Sequence, residues 1–180
     1  MFGKMLELLK LMAPGISRVG MIHNPDNSVG VTYQRWFESS AGQLGVQPIN
    51  LPIHDAAGIE RAIAGMAEQP NGGILSPPDL TTAIHRTQLV NSAARHRVPA
   101  IYSSPLFSEP GGLVTYGPDV LEMFRQAAGY VDRILRGEKP GDLPFQQPTT
   151  YRLLINLKTA KALGLTVPAT LLAQADEVIE

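Results

Sequence analysis

At 180 residues, with 44% hydrophobic and 17% charged side chains, the chain can build a domain-sized core and is too apolar to stay disordered. A net charge of −1, no Lys/Arg run and 6% aromatic residues leave no electrostatic footprint for nucleic acid. The lack of cysteine excludes disulfides, thiolate metal sites and a cysteine nucleophile, and no apolar run approaches the ~18 residues of a membrane span.

The first element is an amphipathic helix over Met1 to Met12. Phe2, Met5, Leu9 and Met12 keep helical spacing, while Lys4, Glu7 and Lys10 interrupt the apolar run that a signal peptide needs. Pro14-Gly15 ends it. A chain that opens on a helix with no strand before it is expected to be a truncated piece of a longer α/β protein. Arg18 to His23 is a short, mostly apolar run and reads as a buried strand. Asn24-Pro25-Asp26-Asn27-Ser28 follows, and every residue in it favours a turn or a helix cap. A helix is then predicted from Val29, with Tyr33, Trp36, Phe37, Ala41 and Leu44 on its apolar face, stopped by Gly45.

Val46 to Ile53 alternates apolar and polar residues, and its two prolines place it at a sheet edge. His54-Asp55 caps a helix that carries Ile59, Ala62, Ile63 and Met66 on one face. After the stop at Gln69 to Gly72 comes a very short strand, Gly73 to Leu75, with the polar turn Ser76-Pro77-Pro78-Asp79. One helix is predicted from Leu80 to His96, then a strand over Val98 to Tyr102 ending in Ser103-Ser104-Pro105. A βαβαβαβ order with short connections implies an α/β fold, a parallel sheet with helices on both faces.

Beyond Phe107 the rhythm changes. A loop around Glu109 to Gly112 leads to a strand, Leu113 to Tyr116, and to the strongest helix in the chain, residues 119–136. Val120, Phe124, Ala127, Ala128, Val131, Ile134 and Leu135 share one face of it, and Gly137 suits its C′ position. A connector over Glu138 to Gln147, a strand over Tyr151 to Asn156, a short helix over Leu157 to Leu163, a last helical turn after Pro168 and an acidic tail complete the chain. The expected division is 1–15 as a lead-in helix, 16–104 as an α/β lobe and 105–180 as crossover segments.

Where a strand feeds a polar turn and then a helix, the turn lies at the carboxyl end of the sheet, the edge at which open α/β folds bind small ligands. Asn24, Asn27, Ser28, Ser76, Asp79, Ser103 and Ser104 are therefore candidate polar contacts. Phe107 and Tyr116 are candidate walls for an apolar group. Each also has a plainer reading: Asn24 and residues 26–28 as turn and cap, Asp79 as the N-cap of the Leu80 helix, the serines as partners of loop backbone. Trp36, Phe37 and Tyr102 read as core.

No G-x-G-x-x-G, G-x-x-x-x-G-K-[ST] or G-x-S-x-G occurs, so phosphate-binding loops and a nucleophile elbow are unsupported. His23, His54, His85 and His96 form no H-x-x-x-H or H-x-H pair, and three turns would hold His85 and His96 roughly 16 Å apart. A structural or solvated role is expected for all four. No metal and no cofactor is implied. A small enzyme using Ser103 or Asp79 would need a base that the sequence does not reveal.

The opening Lys4 to Leu9 with Pro14-Gly15, Arg18-Val19 and Asn24-Pro25 resembles the second half of ABC-transporter substrate-binding proteins of the tryptophan/tyrosine-type group. The resemblance is more specific in Tyr130 to Pro140, Asp142-Leu143-Pro144, Gln147-Pro148-Thr149, Asn156 to Leu165 and Ala175 to Glu180. It implies one lobe of a type I periplasmic-binding-protein-like fold, non-enzymatic, in which two lobes close on a ligand between them. The implied ligand is an amino acid or related compound, an aromatic amino acid among the group's ligands. The implied partner is an ABC permease, and the implied location is the periplasm or an anchored position at the cell surface. The same fold serves small-molecule-sensing domains of regulatory proteins, the alternative role. With the N-terminal lobe absent, the apolar face of the 119–136 helix is expected either to fold back on this lobe or to be buried by self-association.

Overall fold

The computed structural model describes residues 1–180. The chain runs α1 (Phe2–Met12), β1 (Arg18–His23), α2 (Gly30–Gln43), β2 (Gln47–Pro52), α3 (Ala56–Ala67), β3 (Gly72–Ser76), α4 (Leu80–Ile84), α5 (Arg86–Arg95) and β4 (Ala100–Tyr102). It continues with β5 (Val114–Pro118), α6 (Val120–Leu135), β6 (Tyr151–Asn156), α7 (Leu157–Ala162), α8 (Ala169–Leu172) and β7 (Glu177–Ile179). All seven strands form one sheet in the order β2-β1-β3-β4-β5-β6-β7. Neighbours are parallel except β5 and β6, which pair antiparallel.

The central parallel strands β1, β3 and β4 are buried on both faces and carry nearly continuous apolar runs, whereas the edge strand β2 is largely exposed. One face packs on α1, α2, α7 and α8 around Met5, Leu9, Met21, Phe37, Leu75 and Ile101. The other packs on α3 and α5 around Ile22, Ile59, Ile63, Ile74, Leu89 and Tyr102. The lead-in helix is thus an integral part of a core: Phe2, Met5, Leu6, Leu8, Leu9 and Met12 are all buried. Helix α2, which follows β1, lies on the first face, and α5, which follows β3, lies on the second. The connections diverge between two adjacent strands, and that divergence opens a crevice at their carboxyl ends.

Three expectations change, and for α6 one of two alternatives is removed. The helix drawn from Leu80 to His96 breaks at His85 (φ −95°, ψ 22°), giving a five-residue α4 and a separate α5. Trp36 is 55% exposed; it stands at the edge of an aromatic cluster with Phe2 and Tyr33, while Phe37 beside it fills the core. The acidic tail contains an edge strand, β7, paired to β6 in parallel. Helix α6 does not fold back: none of its residues is buried, and Leu121, Phe124 and Leu135 are 65%, 67% and 82% exposed. Its strand does join the sheet, with Leu113 and Val114 buried.

Helices α3 and α5 are clamped by Glu60. Its carboxylate accepts from Ser92 Oγ (2.7 Å), Arg95 Nη2 (2.5 Å) and His96 Nε2 (2.8 Å). The His96 and Ser92 hydrogen bonds, aided by the Arg95 charge, hold the Glu60 carboxyl below its ordinary 4.5. A carboxyl depressed in the folded state stabilises above its unfolded value and loses that contribution as pH falls through its folded value. Wild type is therefore expected to melt above Glu60→Gln at neutral pH, with the gap closing as pH falls below about 4.5. Melting curves of both proteins across pH 7 to 3 check this; a gap that persists at the acid end would refute it.

Candidate ligand-binding cleft

The polar turns after β1 and β3 are tied together by one carboxylate. Asp79 N-caps α4, its Oδ1 accepting from Thr82 N–H at 3.0 Å, while Thr82 Oγ1 donates back to the Asp79 carbonyl at 3.0 Å. Asp79 Oδ2 accepts from Asn24 N–H at 3.2 Å and from Asn27 Nδ2 at 3.3 Å. Asn24 Nδ2 donates to Thr81 Oγ1 at 3.0 Å, closing a second bridge. Within the first turn, Asn24 Oδ1 accepts from Asp26 N–H and Asn27 Oδ1 from Val29 N–H, at 2.9 and 3.2 Å. These are Asx turns, the local chemistry for which Asn is favoured there. His23, buried at the end of β1, sets its ring nitrogens 3.3 Å from the Asn24 carbonyl and 2.6 Å from Asn50 Oδ1. That histidine is structural.

Asp79 is 8% exposed and pairs with no Lys, Arg or His. It lines a cleft of about 410 Å³ together with Ser103 and Ser104 from the end of β4, Leu80 and Ala83 from α4, and Val120 and Met123 from α6. The cleft joins a small polar floor to an apolar lip. Leu80 and Val120 are exposed there, 75% and 48%. A cleft of this composition suits a small molecule that carries both a polar head and an apolar body. A second cleft, about 380 Å³, opens at the opposite edge of the sheet around Ile16, Asn71 and Arg97. None of the expected site residues lies in it.

The structure thus brings Asn24, Asn27, Asp79, Ser103 and Ser104 to one rim. Phe107 reaches the cleft wall but is buried and stacked on Tyr102, ring centroids 4.7 Å apart. Ser76 lies beneath the floor: its hydroxyl is buried without a partner, and its carbonyl accepts from Ser103 N–H at 3.0 Å. Ser28 is exposed, precedes the Val29 cap of α2 and makes no hydrogen bond through its side chain. Tyr116 turns to the other face of the sheet and stacks on Tyr151 at 5.4 Å. Burial, then the charges of Tyr151 and Asp176, raise its phenol above the ordinary value. No cluster of His, Asp or Glu in the structure could hold a metal ion, and no helix is long and apolar enough to cross a membrane.

Sequence reasoning missed Thr81, Thr82, Val120 and Met123. Asp79 followed by Thr82 is a capping pair visible in the sequence. Val120 and Met123 are cleft residues only because α6 leaves β5 beside α4, and nothing local signals that.

Residues 1–179 match the family described as ABC transporter substrate binding protein. A tyrosine-binding protein of Clostridioides difficile is 22% identical over 163 residues, 90% of this chain and 47% of its own length. A conserved domain protein from Vibrio cholerae superposes with a TM-score of 0.90 at 26% identity, over 98% of this chain and 60% of its own. An ABC domain from Streptococcus pneumoniae, solved in complex with L-Trp, superposes with a TM-score of 0.89 at 25% identity, over 99% and 60%. The chain therefore spans about half the length of the curated relative it matches and about 60% of these solved structures.

Proposed function

We infer that this chain, which belongs to the ABC transporter substrate-binding protein family, forms one wall of a solute-binding cleft in an importer's capture protein. The family is non-enzymatic, and the reading is accordingly one of binding. The proposed ligand is a free amino acid with an apolar or aromatic side chain. Asp79 would receive its ammonium, Ser103 and Ser104 would donate to its carboxylate, and Leu80, Val120 and Met123 would cover its side chain. The opposing wall would come from protein beyond the 180 residues, and an ABC permease at the outer face of the membrane would be the partner. A tyrosine-binding relative and a tryptophan-bound structural neighbour support the ligand class.

The single observation that carries this reading is the Asp79 carboxylate. A charge so nearly buried is costly without a counter-charge, and this one faces an open cleft with only three neutral donors. A ligand cation would compensate it. The test is a thermal-shift screen on the full-length protein with an aromatic amino acid, its decarboxylated amine and its deaminated acid. The amino acid is expected to raise Tm; at a hundredfold excess over Kd the stabilisation is about 2.7 kcal/mol. The deaminated acid is expected to do nothing. Equal shifts from the acid and the amino acid would mean that Asp79 receives no ammonium.

A further inference from the structure

We propose that Gly117 is a positioning residue for the cleft, setting the Ser103-Ser104 peptide by backbone contact. This rests on the cleft being the ligand site. Gly117 sits in β5, paired antiparallel to Arg152, and is buried. A Cβ built on it would fall 1.9 Å from the Ser103 carbonyl oxygen, 2.8 Å from its carbon and 3.5 Å from Ser104 N. The atoms it would strike are backbone, and backbone cannot swing aside as a side-chain tip can. Gly117 is not in the left-handed region that favours glycine. Space, not conformation, requires glycine there.

The peptide that Gly117 touches is the one whose two side chains line the cleft. It is held on its other side by the Ser103 N–H bond to the Ser76 carbonyl and beyond by the turn in which Phe107 N–H donates to the Ser104 carbonyl. Ser104 Oγ accepts from Leu106 N–H in the same turn. Strand β5 thus forms the third support of a segment otherwise fixed by β3 and by its own turn. One residue further on, Pro118 lines the cleft, and Val120 begins α6. The strand that carries the chain out of the sheet is the strand against which both serines rest. Any side chain at 117 must force β5 and this peptide apart, and with them the two serines from their present place in the cleft lining.

The experiment compares Gly117→Ala with Gly20→Ala. A Cβ at Gly20 would also clash, 2.3 Å from Leu51 Cδ1, but against a flexible side chain and away from the cleft. Two readouts are taken well below both melting temperatures. In this chain, hydrogen exchange at Ser103 and Phe107 is expected to speed up in Gly117→Ala and to stay at the wild-type rate in Gly20→Ala. In the full-length protein, Gly117→Ala is expected to weaken the aromatic amino acid by about ten- to a hundredfold, the loss of one or two polar contacts, with Gly20→Ala near wild type. Unchanged exchange at Ser103 and Phe107 overturns the positioning role whatever the ligand. Faster exchange with unchanged affinity also overturns it, because the serines would then not serve the ligand. A wild type that binds none of the compounds, with faster exchange in Gly117→Ala, sinks the ligand reading and leaves the backbone contact standing.

Discussion

Replacing Asp79 with alanine is expected to lower stability by about 2–4 kcal/mol and to abolish tight binding of any ammonium-bearing ligand. The stability loss has two sources. The N-cap of α4 goes, worth about 1 kcal/mol, and the Asn24 N–H loses its acceptor in a partly buried place, at about 1–3 kcal/mol. For a chain of this size that is a fall in Tm of about 5–15 °C. Asp79→Asn is the sharper probe. Its single amide oxygen can serve Thr82 N–H or the Asn24 and Asn27 donors, not both, and its NH₂ group then faces a donor on the other side. The fold should survive, while loss of the charge weakens a ligand ammonium by about ten- to a hundredfold, as for a hydrogen bond to a charged group. Asn27→Ala removes one donor to Asp79 and is expected to cost affinity through the loosened carboxylate. Melting curves and calorimetric titration of the three variants check this. Unchanged affinity in both Asp79→Asn and Asn27→Ala would mean that the rim is structural only.

Helix α6 provides the second large effect. Its 16 residues span about 24 Å and present Val120, Phe124, Val131 and Leu135 on a face that nothing in these 180 residues covers. Contiguous exposed apolar surface of this kind is uncommon on monomers, and a helix without tertiary packing is marginal in water. The relatives are longer than this chain, and we expect the portion it does not span to cover the face. A protein of these 180 residues alone should then self-associate. Light scattering at micromolar concentrations is expected to give a mass well above 19.4 kDa. The double substitution Phe124→Glu and Val131→Glu, at positions exposed in the single chain, should return the monomer and remove the dependence of Tm on protein concentration that self-association brings. A wild-type monomer at high concentration would contradict this.

Much of the rim was legible because its chemistry is local. Asn24 and Asn27 close Asx turns on their own backbone, and Asp79 caps the helix that follows it. Short-range bonds of that kind leave a signature in residue order. The bridges from Asn24 and Asn27 to Asp79 and Thr81 join residues more than fifty positions apart, and no spacing rule reports them. Tyr116 shows the converse failure. As an aromatic at a strand end it looked like a cleft residue, but strand alternation, fixed by the pairing of Thr115 with Leu154, turns it away from Phe107 and toward Tyr151. The break at His85 was hidden for a different reason: residues 80–96 keep a helical period on both sides of it.

The order of residues by itself determined the alternation of strand, turn and helix, the edge position of the proline-bearing β2, and the family strings over 130–165. The first two follow from side-chain periodicity or from backbone preferences that act within a few residues; the third is a resemblance in residue identity alone. Tertiary structure alone decided that α1 belongs to a core, that β6 and β7 extend the sheet past one antiparallel pair, and that Asp79 gathers two loops at a cleft. It also decided that α6 stands uncovered and that Gly117 must lack a side chain. Those outcomes depend on which distant surfaces meet, and burial and close backbone approach are properties of the assembled sheet rather than of any segment within it.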